Sequence, residues 1–224
     1  MTQKKQLKPK PGAQPKQDTR ARLMQTMLNL IWSMGYHAVS VEDICKAAGA
    51  QKGSFYHFFP SKAALVYEVF KHEWEHCKMD LDEAFSPSRP PLERFQRLGE
   101  MVIEEQIEKQ QEFGYVCGCP FVTVGSELAT QNEQMRQQVE EVFASHMRYV
   151  VSALRDAVAE GMLPKDTDIE AKAKEIDNFL LGTLLVARIR NSLSPLEQAF
   201  STGIFHLLGV KPPKAEKKPR RKAA

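Results

Sequence analysis

Apolar residues along this chain recur every three or four positions and never alternate with polar ones for long, so the pattern predicts helices and no sheet. Leu23, Met27 and Ile31 share a stripe of a helix over about 19–34, with Gly35 as its stop. Ser40, with Asp43 three residues on, predicts a capping box at the head of a second helix that ends at Gly49. A third helix covers about 51–59. Pro60 ends it, and Ser61 caps a long fourth over about 62–85, whose apolar stripe is Val66, Phe70, Trp74, Cys77 and Leu81. After a Ser/Pro-rich loop at 86–91 comes a helix at 92–112, then a Gly/Cys/Pro segment at 114–120. Further helices are predicted at 121–130, 133–160, 168–191 and 195–208, with Gly161 and Pro164 as stop signals after the second of these. The expected fold is all-α, with about nine helices.

Charge changes this picture at the ends. The chain has 224 residues and a net charge of +3. Residues 1–22 and 211–224 each carry seven Lys/Arg against a single acid, so the residues between them are net −9. An acidic body with basic arms suits a polyanionic partner. Residues 1–17 and 211–224 hold little to bury and are expected to be disordered basic arms. No stretch reaches the ~18 apolar residues of a membrane span, and the basic N-terminus lacks the apolar region of a secretory signal. The expected location is therefore the cytoplasm, where four cysteines are reduced thiols rather than a disulfide framework.

The chemistry concentrates in residues 40–62. Two short helices joined by a tight turn read as a helix-turn-helix, with Ile44 and Ala47 packing the first inward and Phe55 and Phe58 anchoring the second. The outer side of the second is left with Gln51, Lys52, Ser54, Tyr56 and His57, which offer a charge, hydroxyls and ring N–H groups to phosphates and base edges. Gly53 lets the backbone approach a phosphate, and Lys62 adds a phosphate donor at the head of the fourth helix. The body is expected to divide into a DNA-binding domain at 18–63 and a larger domain at 64–210.

The run Lys52-Gly53-Ser54-Phe55-Tyr56-His57-Phe58-Phe59-Pro60-Ser61-Lys62 resembles the signature of the tetracycline-repressor (TetR) family of bacterial transcription regulators. The layout from about 19 to 208, the Gly161-Met162-Leu163 break and the Leu181-Gly182 pair are similar to that family as well. The resemblance implies a homodimer without enzymatic activity or cofactor, bound to a palindromic double-stranded DNA operator and released by a small-molecule inducer. It carries DNA contacts onto Ser40, Lys52, Gly53, Ser54, Tyr56, His57 and Lys62. Gln51 departs from the pattern, standing where the family often has a capping Ser or Thr, and is expected to read an adenine instead. The resemblance also implies a dimer interface on the last two helices, through Leu181, Leu185, Ile189, Phe200 and Ile204.

Expected walls of a ligand cavity are Met101, Phe121, His146, Met147, Val150 and Phe179, together with Leu98 and Val102. Cys117-Gly118-Cys119-Pro120 precedes a short helix, whose N-terminus would stabilise a thiolate at Cys119. The Gly-Cys-Pro run resembles a branch of the family that responds to electrophiles, oxidants or small unsaturated molecules. It implies sensing by Cys119, with Cys117 as a resolving partner. The competing reading is a zinc-dependent hydrolase, because His72-Glu73-Trp74-Glu75-His76 matches H-E-x-x-H. On the helical wheel, however, both histidines turn away from the apolar stripe, and no downstream third ligand is evident.

Overall fold

A computed structural model describes residues 16–213; the expected disordered arms lie almost wholly outside them. Among the described residues there is no strand. The helices are α1 (Lys16–Met34), α2 (Val41–Ala47), α3 (Lys52–Phe58), α4 (Lys62–Ala84), α5 (Pro91–Phe113), α6 (Pro120–Leu128), α7 (Glu133–Ala159) and α8 (Ile169–Arg190). The chain closes with α9 (Ser194–Gln198), one π turn (Ala199–Gly203) and α10 (Ile204–Leu208), which follow one another without a break. Counted that way, nine helical stretches stand where about nine were expected.

The chain divides into two compact units, Met1–Val69 and Phe70–Ala224. The division falls inside α4, a few residues beyond the boundary expected after 63.

In the first unit, Leu23, Met27, Ile31 and Trp32 of α1 are buried together with Ile44, Phe55, Phe59, Leu65 and Val66. α2 begins with the predicted capping box: Asp43 N–H donates to Ser40 Oγ at 3.1 Å, and Ser40 N–H donates to the Asp43 carboxylate at 2.9 Å. Gly49 makes the turn at φ +60, a conformation that costs an L side chain about 1–2 kcal/mol. Ala50 N–H then closes back onto Cys45 O at 2.9 Å. Two inward positions are shifted by one residue from expectation. Ala48, the C-cap of α2, is buried while Ala47 is exposed, because Ala48 is still helical and lies four residues, one turn, after the buried Ile44. Likewise Phe59, just past α3, is buried beside Phe55, with ring centroids 6.0 Å apart, and Phe58 is only half-buried.

The second unit buries Phe95, Leu98, Val150, Leu154, Ile176, Leu180 and Phe205 in one core. Close approach is set by two glycines whose missing side chains are replaced by phenyl rings. A Cβ on Gly99 would lie 2.4 Å from Phe200, and one on Gly203 would lie 2.6 Å from Phe179. Arg94 is buried but satisfied, donating to Asp156 Oδ2 at 2.6 Å and to the Arg89 carbonyl at 2.9 Å. That arrangement meets the requirement that a buried charge be paired and hydrogen-bonded.

Candidate nucleic-acid interface and sensing segment

α3 and its N-cap have a buried side and an exposed side. Phe55 is fully buried, whereas Gln51, Lys52, Gly53, Tyr56 and His57 are exposed and Ser54 is half-exposed. Tyr56 is 55% exposed, high for an aromatic ring on a helix that has an apolar core directly beneath it. Gln51 occupies the N-cap without making a side-chain cap bond, as expected, so its amide remains available at the surface. Nothing lies within 4 Å of where a Gly53 Cβ would stand, so the fold does not require glycine there. Lys52 pairs with Glu42 at 2.9 Å in an exposed contact, and the Glu42 carboxylate holds its ammonium pKa above the usual value. A phosphate could replace that carboxylate without burying either charge.

Two of the expected DNA contacts are already engaged within the protein. Lys62 Nζ donates to the carbonyls of Tyr36 (2.9 Å) and Val39 (2.7 Å) and sits 3.9 Å from the centroid of the Tyr36 ring. It fastens the α1–α2 loop. Ser40 is exposed, but its hydroxyl is bound into the capping box with Asp43. That bonding holds the Asp43 carboxyl below its ordinary pKa.

In the second unit, α8 carries an apolar surface stripe. Leu185 is 44% and Ile189 75% exposed, with Val186 and Gly182 exposed on the same side and Leu181 half-buried. Phe200 and Ile204, expected in an interface, are instead buried in this unit's own core. The sequence pattern of an interface and that of an interior are the same here, and the ring of Phe200 fills the space over Gly99.

The Cys117–Cys119 segment is held in place from two sides. Gln106 of α5, itself 1% exposed, accepts from Gly118 N–H at 2.7 Å and donates to Gly118 O at 3.1 Å. From α8, Arg188 donates to Cys117 O, and the Asn191 side chain accepts from Val116 N–H at 2.9 Å. Gly118 has φ +71, and a Cβ there would lie 3.2 Å from Leu184 O. Sequence reasoning missed Gln106, Arg188 and Asn191, which carry no motif.

Burial works against the activation expected at Cys119. Cys119 is the N-cap of α6. Burial pushes its thiol up to about 11, even though the backbone N–H groups of Val122 and Phe121 favour the thiolate. Desolvation therefore outweighs the helix N-terminus. Cys117 is fully buried, its Sγ 3.6 Å from Tyr115 O, and is raised by burial as well. Nearby, burial and then the Glu73 charge push the Glu105 carboxyl up to about 7.

Of the expected cavity walls, Met101, His146, Met147 and Phe179 are partly buried, as is Val102. Phe121, Val150 and Leu98 are core residues. Phe121 packs edge-on to Phe70 with centroids 4.7 Å apart. His146 Nδ1 lies 2.8 Å from Asp177 Oδ1, pairing a half-buried imidazole with a buried carboxylate. A separate open groove of about 430 Å³, lined among others by Trp74, Lys78, Asp82, Phe85, Arg148 and Tyr149, includes none of those expected walls.

The geometry lends the zinc reading no support. His72 and His76 are exposed with rings edge-to-face at 4.7 Å. Glu73 is partly buried, its pKa raised by burial, and among the described residues no group of three or more His, Cys, Asp or Glu could hold a metal. No helix among those residues is long and apolar enough to cross a membrane.

Comparison with known proteins agrees with this division of the chain. Residues 23–69 match the family described as bacterial regulatory proteins, tetR family, and residues 92–202 match the tetracyclin repressor-like C-terminal domain. The transcriptional regulator AcuR of Cereibacter sphaeroides is 30% identical over 175 residues, 78% of each chain. A crystal structure of a TetR regulatory protein from Rhodobacter sphaeroides superposes with a TM-score of 0.75 at 27% identity, covering 84% of this chain and 98% of that one. The Escherichia coli repressor NemR is 24% identical over 184 residues, 82% of this chain and 91% of NemR. The crystal structure of its reduced form shares the fold at a TM-score of 0.73 and 24% identity, covering 88% of this chain and all of that one.

Proposed function

The chain belongs to the TetR family of bacterial regulatory proteins, DNA-binding transcription regulators, and from that membership we propose a ligand-responsive repressor that binds a palindromic operator as a homodimer. The observation that carries this reading is the two-sided α3. Its inner side is fixed by Phe55, and its outer side presents Gln51, Lys52, Ser54, Tyr56 and His57 together. A helix stabilised only by its own packing has no need to gather a cation, an amide, a phenol and an imidazole on its solvent side. A helix in a major groove does.

In this reading Tyr56, Lys52 and Ser54 meet phosphates, Gly53 allows close approach of the backbone, and Gln51 and His57 reach base edges. Ser40 adds its hydroxyl only where the capping box can share it. Two copies associate through Leu185, Val186 and Ile189 on α8, with Leu181 at the margin. Inducer enters the second unit beside Met101, His146, Met147 and Phe179, and Cys119 contributes to sensing within the same region. The protein acts in the cytoplasm.

The decisive measurement is binding to its own upstream region against random duplex of equal length, over a salt series. Preference for the upstream fragment, with affinity falling steeply as salt rises, is the expected result. Equal affinity for both at moderate salt would remove the proposal.

A further inference from the structure

The Cys117–Cys119 segment is fastened to the same helix whose other side carries the exposed apolar stripe. Arg188 and Leu184 face the segment from one side of α8 and Asn191 from its C-terminal end, while Leu185 and Ile189 lie well around the helix from them. Asn191 is also the left-handed C-cap of α8, at φ +47 and ψ +47. The side chain that receives Val116 N–H thus belongs to the residue that terminates the helix. On the far side, Gln106 grips Gly118 through both its N–H and its carbonyl, so the segment cannot slide along α5 without losing both bonds. Gly118 leaves no slack toward α8: the space of its absent side chain is closed by Leu184 O and by the Arg188 stem, 3.3 Å from where a Cβ would lie.

From these contacts we propose that the segment 116–119 is a strap transmitting occupancy of the sensing region to self-association, with Arg188 as its positioning residue. An occupant that displaces the strap strains its bonds to Arg188 and Asn191. The last two turns of α8, which carry Leu185 and Ile189, move with them. Inducer then acts by weakening the contact between copies, in addition to any effect on the reading helix. The inference rests on the homodimer reading and names how its sensing site is regulated.

The test varies the strap without any ligand. Gly118→Ala adds a methyl at φ +71 against Leu184 and Arg188, and Arg188→Met removes the donor to Cys117 O while retaining a stem of similar length. The dimer dissociation constant is measured by sedimentation, with helical content and thermal midpoint followed alongside. Both variants are expected to remain folded and to raise that constant about tenfold, the scale of a modest overpacking or lost-contact effect. At protein concentrations far above the dissociation constant, operator binding returns to that of the parent. Unchanged association in folded variants overturns the strap. If Gly118→Ala does not fold, Arg188→Met decides alone. A parent chain that stays monomeric, or that shows no operator preference, is a failure of the homodimer reading itself and is visible before any variant is made.

Discussion

Helices α3 and α6 are both short, both follow a turn containing a left-handed glycine (Gly49 and Gly118), and both start on a residue whose side chain makes no cap bond. One presents its first residues to solvent, and the other holds its first residue among packed helices. At α3 the polar groups stay in water, Lys52 in an exposed pair with Glu42. At α6 the same helix-end field acts on Cys119, but the cost of desolvating a thiolate is larger, and the thiol is pushed up to about 11. A helix terminus is therefore only half of a chemical environment; the other half is how much water its surroundings leave.

The comparison breaks most severely if the inner side of α3 is removed. Phe55→Ala deletes a fully buried ring and is expected to cost about 3–5 kcal/mol, abolishing operator binding through loss of the first unit's fold. Circular dichroism melts check it, and a variant that melts like the parent would show that the two sides of α3 are not interdependent. At α6 the sharpest probe is pH. A thiol near 11 is about a hundredfold poorer in thiolate at neutral pH than one at the ordinary 9, so alkylation of Cys119 is expected to be slow at pH 7. The rate should climb about tenfold per pH unit as the pH rises toward 11. Mass-spectrometric timing of the modification, with Cys119→Ser as the blank, reads it directly; a plateau below pH 9 would contradict the burial argument.

On the outer side of α3, Tyr56→Ala or Lys52→Ala is expected to weaken operator binding by about 1–3 kcal/mol, with the melt unchanged. Lys52→Ala should also lower the salt slope by about one. The smallest effects separate two glycines. Gly49→Ala should destabilise by about 1 kcal/mol because of its positive φ, whereas Gly53→Ala should stabilise by up to about 1 kcal/mol as an open helical position. If Gly53→Ala nonetheless loses operator affinity, backbone approach is what glycine supplies there. If affinity is retained, the residue has no role in reading DNA.

Much of this was legible in the sequence where the cause is local. The capping box at Ser40, the stops at Gly35 and Pro60, and the polar outer side of α3 are all written within a few residues of where they act. The tie of Lys62 to the carbonyls at 36 and 39 was not legible, because those partners lie more than twenty residues earlier and a lysine in a first helical turn looks the same whichever anion or dipole it meets. Phe200 and Ile204 were assigned to an interface because periodicity reports that a face is buried, not what buries it. Cys119 was expected to be activated because the helix end is visible in sequence and the desolvation is not. Gln106, lying in a charged run of α5, gave no signal of the clamp it makes.

The π turn at Ala199–Gly203 has a consequence for phase. Ala199 and Phe200 are buried, and the next buried pair, Ile204 and Phe205, comes five positions later instead of three or four. One surplus residue winds the chain back by roughly a quarter-turn, so that everything from Ile204 onward meets the core at an angle a regular helix would have missed. Deleting Ser201 or Thr202 would leave the two buried pairs four positions apart, the spacing a uniform helix keeps on one face, so the irregular winding is what absorbs the extra residue and keeps the C-terminal end seated.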